Sequence, residues 1–155
     1  MNAPFSAVPV RQRFIASALA TDAAVLTALG GPGRIHPNLS PKTITTRHLT
    51  HRDYGSVKVA MPNGTIGMVS MRWAITAWEP APSQQALEPL MEAVMGLLIG
   101  PYLAGKTHRF EDGDRIWSIE ADYFGPDLVE LEVTPALGAW APIRETYTLA
   151  LQQVS

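Results

Sequence analysis

Apolar residues recur at every second position along the stretch from 69 to 77. One face would carry Val69, Met71, Trp73, Ile75 and Ala77, because strand side chains point alternately to the two sides of a sheet. Prolines follow at once, and proline cannot donate a ladder hydrogen bond. The pattern predicts a half-buried strand that ends abruptly and leads directly into a helix.

Helical spacing predicts two principal helices. The first runs from 10 to 29, and Asp22 would act as an internal cap that divides it in two. The second runs from 84 to 99, with Ser83 at its N-cap position. Pro89 requires this helix either to begin near Glu88 or to be kinked. Its predicted core stripe consists of Leu87, Leu90, Met91, Val94 and Leu98.

Strand patterns occupy most of the remaining chain. We predict strands at about 43 to 50, 56 to 61 and 65 to 78, with a hairpin turn at Asn63-Gly64. A second hairpin surrounds Asp112-Gly113, and "LVELEV" and "PIRETYTLALQQV" alternate likewise. These patterns favour one α+β domain from 10 to 155, with a mainly antiparallel sheet and both helices on one face. Residues 1 to 9 read as an extended arm.

Composition limits the chemistry that is available. The chain has 155 residues and no cysteine, which excludes disulfides, thiolate catalysis and cysteine-based zinc sites. The longest uncharged apolar run, "AVMGLLIG", is too short to span a bilayer, and no export signal begins the chain. We therefore expect a soluble, unexported protein without a membrane partner.

Two polar clusters invite a metal or catalytic interpretation. His48, His51 and Asp53 lie close in sequence, but a strand would place the two histidines on opposite faces. The carboxylates of "FEDGDR" match the requirements of a tight hairpin turn better than those of a calcium loop. The sequence also lacks the phosphate-binding and nucleophile motifs of common enzymes. We predict no catalytic residue, no cofactor and no metal site.

Charge is distributed unequally along the chain. Residues 1 to 78 contain eight Lys/Arg and two Asp/Glu, a net +6, whereas residues 79 to 155 contain four and twelve, a net −8. This split suits head-to-tail contact between identical subunits, or acidic strands that face a lumen. Trp73 and Trp117 fall on core faces. The candidate interface residues are Arg47, Arg52, Lys58, Trp78, Glu120, Glu130, Glu132 and Trp140.

Three segments together resemble a known family. They are "ATDAAVLTALGGPGRIHPNLSP", "MVSMRWAITAWEPAPSQQALEPLMEAVMGLL" and "RETYTLALQQV", in this order along roughly two thirds of the chain. A helix with an Asp, a Gly and an Arg-Ile turn, then a strand ending in an aromatic residue and a leucine-rich helix, is similar to the tail-terminator or tail-completion family of long-tailed bacteriophages. The segment "TITTRHLTHRDYG" departs from the aromatic-proline start of that family's first strand.

The resemblance implies a structural virion protein and not an enzyme. Members form a ring, usually hexameric, that caps the tail tube and joins it to the head, and double-stranded DNA passes through its lumen. The implied partners are further copies of the chain, the tail tube protein and the connector proteins. The implied location is the tail or neck of the virion, after assembly in the host cytoplasm.

Other functions remain open at this stage. Relative to that family, residues 105 to 125 look like an added hairpin, which would also suit a head-to-tail adaptor of the phage neck. A small α+β enzyme centred on His48, His51 and Asp53 is a weaker alternative, because no nucleophile and base are paired. A nucleic-acid-binding module would use Lys42, Arg47, Arg52 and Lys58, but the net charge of −2 argues against sequence-specific binding.

Overall fold

The computed structural model describes residues 7–40, 43–60, 66–80, 84–127, 132–134 and 138–154. In these residues it contains three α-helices and a short 3₁₀ turn at Gln84–Leu87. The helices are α1 (Ala7–Thr21), α2 (Ala23–Leu29) and α3 (Glu88–Leu103). The strands are β1 (Ile35–Pro37), β2 (His48–Ala60), β3 (Ile66–Glu79), β4 (His108–Asp112), β5 (Arg115–Asp127), β6 (Glu132–Thr134) and β7 (Gly138–Gln153).

The strands form one mainly antiparallel sheet in the order β1-β2-β3-β7-β5-β4, and β6 pairs separately with β7. Only the β1–β2 pair among the described strands is parallel. The helices pack on one face of this sheet, where a continuous core includes Leu19, Trp73, Leu98 and Tyr147. The predicted α+β class with a mainly antiparallel sheet is therefore confirmed. The opposite face is called the outer face below.

The first predicted helix is divided as its sequence indicated. Asp22 lies between α1 and α2, and its carboxylate accepts a hydrogen bond of 3.0 Å from the backbone N–H of Val25. Gly30 ends α2 in the left-handed conformation that glycine adopts at low cost. However, α1 begins at Ala7 and not at residue 10, so residues 7 to 9 are helical. The rest of the predicted arm, residues 1 to 6, lies outside the described residues.

The prediction for the second helix is correct in its core stripe and shifted in its bounds. α3 begins at Glu88, which puts Pro89 in the first turn. Backbone N–H groups of the first turn have no acceptor within the helix, so the N–H that proline lacks is not needed there. Leu87, Leu90 and Leu98 are fully buried, as predicted. Ser83 lies outside the described residues, and Leu87 occupies the N-cap position without a side-chain cap.

By length and composition, the segment Gln84–Leu103 could also span a membrane. A helix that packs one face on a protein core meets the same criterion. The described structure accounts for that buried stripe by contact with the sheet.

Strand bounds differ most between residues 43 and 61. The two strands predicted there form a single strand, β2, which is interrupted by an irregularity between Asp53 and Ser56. Gly55 lies in this irregularity with φ 122°, a conformation that favours glycine. The antiparallel pairing of β2 with β3 is confirmed. The predicted Asn63-Gly64 turn between them lies outside the described residues, and β1 was not predicted.

The hairpin at 105 to 125 is part of the sheet and the core. Its turn is at Gly113 and Asp114, and β4 and β5 pair on either side of it. β5 also pairs with β7 over most of its length, and Trp117, Ile119 and Ala121 contribute to the common core. A strand that both completes the sheet and fills the core belongs to the domain itself.

Candidate assembly surface

Arg47, a predicted interface residue, forms hydrogen bonds to two other elements of the chain. Its Nε donates to Glu79 Oε2 at 2.5 Å, and its Nη1 donates to the backbone carbonyl of Ala28 at 2.9 Å. That carbonyl belongs to the last turn of α2, where helix carbonyls need an external donor. Arg47 therefore ties α2 to the end of β3, and its assignment to a contact with another subunit stays a prediction.

Trp78 and Trp140 are buried within the chain, with 7% and 4% of their surface exposed. The Trp78 ring stacks on the imidazole of His48 at a centroid distance of 6.2 Å, and Trp140 contacts the same imidazole edge-on at 5.2 Å. The Trp78 Nε1–H donates to Thr50 Oγ1 at 3.0 Å. Residues of this chain cover both tryptophans, and their assignment to a subunit boundary stays a prediction.

His48 and His51 lie on opposite faces of β2, as the strand period predicts. His48 joins the two tryptophans on the outer face, where its Nε2 and Ser40 Oγ are 2.7 Å apart. His51 lies on the core face and accepts a hydrogen bond at Nδ1 from Trp73 Nε1 at 3.2 Å. Burial lowers the pKa of both imidazoles, to about 4 for His51. The centre required by the enzyme alternative is thus split between the two faces.

The acidic clusters have structural roles. Asp112 forms a two-pronged ion pair with Arg13 of α1, at 2.8 and 2.7 Å, which ties this helix to the β4 edge. The guanidinium lowers the pKa of the Asp112 carboxyl. Glu111 pairs with Arg109 at 3.3 Å on an exposed surface. In the described part of the chain, no group of three or more His, Asp or Glu side chains is arranged to hold a metal ion.

The other predicted interface residues are placed as follows. Arg52 on β2 and Glu120 on β5 are exposed. Lys58 lies on β2 opposite Val69, and Glu132 lies on β6 opposite Trp140; only their backbone positions are described. Glu130 lies outside the described residues. Of the eight candidates, Arg52 and Glu120 are those whose described side chains are free of burial and available to a partner.

The strand order separates the basic and acidic halves of the sequence into two neighbouring parts of the sheet. Strands β1, β2 and β3 come from the basic first half and lie side by side, whereas β7, β5 and β4 come from the acidic second half. On the outer face, Arg52 and Arg72 lie on the first group, and Glu120 and Asp122 lie on the second. The β1–β3 half of the outer face therefore differs in charge from the β7–β4 half.

The outer face also carries residues that the sequence did not single out. The Arg72 guanidinium lies 4.0 Å from the ring centre of Phe124. Arg144 on β7 donates through Nε to Thr76 Oγ1 at 2.9 Å and lies 3.6 Å from an Asp127 oxygen. Strand alternation could have assigned Arg72, Thr76 and Arg144 to one face, but only the sheet order brings them together.

Apolar side chains are exposed at the end of α3 and in the segment after β1. Leu103 and Leu39 are the most exposed, at 75% and 77%, and Tyr102 is exposed beside Leu103. Gly96 lies on the free side of α3, and a Cβ there would meet nothing within 4 Å.

No protein-family model and no curated protein matches the sequence. Among solved structures, a chain in the "Virion of native gene transfer agent (GTA) particle" is similar, with a TM-score of 0.54 and 10% sequence identity. The match covers 88% of this chain and 90% of that chain. At this identity the likeness concerns the fold alone. It extends over nearly the whole of both chains, which indicates a shared single-domain architecture.

Proposed function

We propose that this protein is a structural virion protein, a tail terminator subunit whose ring caps a phage tail tube and joins it to the head. The observation that carries the proposal is the similarity of fold, over 88% of the chain, to a chain of a gene transfer agent virion. The sequence motifs that resemble tail terminators support the same assignment. A geometric role of this kind requires interfaces and no acid, base or nucleophile.

The charge pattern of the outer face supports assembly side by side. Arg52 lies on the basic side of the sheet, and Glu120 lies on the acidic side. A head-to-tail contact brings the basic side of one copy to the acidic side of the next, and it closes into a ring when the rotation allows. The neighbours above and below would be the tail tube protein and the connector proteins, with DNA passing through the lumen.

The alternative role as a neck adaptor has less support. It rested on the hairpin at 105 to 125, and β5 of that hairpin fills the common core and pairs with β7. The enzyme alternative is likewise weakened, because His48 and His51 lie on opposite faces of β2.

Electron microscopy of the purified chain tests the proposal directly. We expect uniform rings with a central hole, and binding of these rings to one end of purified tail tubes. Binding along the sides of tubes, or to isolated heads in preference to tubes, would contradict a terminator role. Light scattering at low and high ionic strength measures how far charge contributes to the ring.

A charge swap tests the orientation of the contact. Arg52→Glu should weaken the ring, and the double variant Arg52→Glu with Glu120→Arg should restore it, because the attraction is re-formed with opposite signs. Lys106→Glu is the matched control, since Lys106 is exposed between α3 and β4 and lies outside the sheet. An equal loss in all three variants would contradict the proposed orientation.

A further inference from the structure

A polar cleft of about 340 Å³ opens on the outer face of the sheet. Its floor is formed by Thr50 of β2 and Thr76 of β3, which are direct partners in the antiparallel register. Arg52 and Arg144 flank the floor, and Leu39 forms part of the wall. No Asp or Glu side chain is among the described residues that line this cleft.

Both threonine hydroxyl groups accept a hydrogen bond from inside the chain. Trp78 Nε1 donates to Thr50 at 3.0 Å, and Arg144 Nε donates to Thr76 at 2.9 Å. A hydroxyl that accepts one bond still has its own hydrogen to donate. Among the described residues, neither hydroxyl has an acceptor for that hydrogen. With only 5% and 3% of their surface exposed, these groups favour an acceptor inside the cleft.

The flanking guanidinium groups specify the charge of that acceptor. Arg52 is exposed, whereas Arg144 is partly buried and lies 3.6 Å from an Asp127 oxygen. Two arginines and one carboxylate leave a net positive charge around two hydroxyl donors. Guanidinium groups and hydroxyl hydrogens together match an oxyanion, which accepts several hydrogen bonds at once.

We propose that this cleft binds a carboxylate side chain from a second copy of the chain, a contact that rests on the proposed ring. The carboxylate accepts from the Thr50 and Thr76 hydroxyls and pairs with Arg52. Exposed carboxylates for this role lie in the acidic half of the sheet, which consists of β7, β5 and β4. They are Glu120 of β5 and Asp114 of the β4–β5 turn. Head-to-tail packing brings that half of one copy to the cleft of the next.

The shape of the cleft favours a side chain over the phosphates of a DNA duplex. Thr50 and Thr76 lie on the floor and are almost fully buried. A single carboxylate at the end of a side chain can enter such a cleft. Duplex phosphates are held on a broad, stiff cylinder and are best matched by exposed Lys and Arg on a wide surface.

Self-association of variant chains tests the proposal. In sedimentation experiments Thr76→Val and Arg52→Gln should each raise the dissociation constant of the ring contact at least about tenfold. Thr146→Val is the matched control. Thr146 is a buried threonine of the same face, but its hydroxyl donates to the Gly125 carbonyl at 2.7 Å. The control should stay within about twofold of the unmodified chain. Equal losses in Thr76→Val and Thr146→Val would overturn the proposal.

A titration with acetate tests the site independently of the ring. At concentrations where the chain sediments as a monomer, acetate should shift the NMR signal of the Trp78 indole N–H in a saturable way, at constant ionic strength. Trp78→Phe identifies this signal. Thr50→Val and Thr76→Val should weaken acetate binding at least about tenfold, and Thr146→Val should not. A shift with phosphate and none with acetate would overturn the carboxylate assignment.

The two measurements separate failure of this inference from failure of the proposed function. Rings that form equally well in Thr76→Val and Arg52→Gln overturn the second-copy ligand and leave the terminator role intact. A chain that binds acetate but never self-associates, even on tail tubes, overturns the ring together with the second-copy ligand, while the anion site stands. Acetate binding with weakened rings in the cleft variants supports both.

Discussion

The indole N–H of Trp73 donates to Nδ1 of His51, at 3.2 Å, across the buried contact between β3 and β2. An imidazole can accept at Nδ1 only when that nitrogen carries no proton. The hydrogen bond therefore requires neutral His51. Burial, followed by the charge of His36, lowers the pKa of His51 to about 4.

This relationship predicts loss of stability in mild acid. The unfolded chain takes up a proton at His51 near pH 6.5, but the folded chain resists it until about pH 4. The contribution of neutral His51 to the unfolding free energy should be fully present above pH 6.5. The unfolding free energy should fall by on the order of 3 kcal/mol as the pH drops to 4. Urea unfolding across this range measures the loss. His51→Gln should reduce the slope of the unfolding free energy against pH by up to one proton. An unchanged slope would contradict the prediction.

Removal of the Arg47 side chain should destabilise the domain directly. Arg47→Gln leaves the partly buried Glu79 carboxylate and the Ala28 carbonyl without their donor, at a cost of about 1.5 to 3 kcal/mol. Arg109→Gln removes an equal charge from an exposed pair and should cost less than about 1 kcal/mol. Urea midpoints compare the two. If Arg47→Gln disrupts only self-association, with stability unchanged, the sequence-based interface assignment was right.

The stripe of α3 should behave as core. Leu90→Ala and Leu98→Ala each remove a fully buried side chain and should cost about 2 to 5 kcal/mol. Leu103→Ala, on the same helix but 75% exposed, should change stability by less than about 0.5 kcal/mol. Thermal and urea unfolding give these values. A loss below about 0.5 kcal/mol at both core positions would contradict the packing of α3 on the sheet.

The cap between the first two helices is a separate contribution. Asp22→Ala removes the acceptor for the Val25 N–H and should cost about 1 kcal/mol. Asp22→Asn keeps a side-chain oxygen at the same position, so it should cost much less. Urea unfolding of both variants distinguishes the cap from a general charge effect. Equal losses would assign the effect to the negative charge near the helix N-terminus.

The sequence determined the elements whose signal is local. Alternation identified β3 and β5, the spacing of leucines identified the core stripe of α3, and Asp22 marked the break between helices. These signals suffice because a strand or helix face repeats with a fixed period. The same period placed His48 and His51 on opposite faces, which weakened the catalytic interpretation before any fold was known. β1 is too short, at three residues, to leave such a pattern.

Only the tertiary structure decided which side chains remain available to a partner. Trp78 and Trp140 lie outside the main core pattern, yet folding brings both against His48 and buries them. Arg47 donates hydrogen bonds to Glu79 and to the end of α2, which are 32 and 19 residues away in sequence. Thr50, Thr76 and Arg144 come from three strands and meet because β3 pairs with both β2 and β7. Burial and polar partnership depend on contacts between distant segments, and these are fixed by the order of strands in the sheet, not by the period within any one strand.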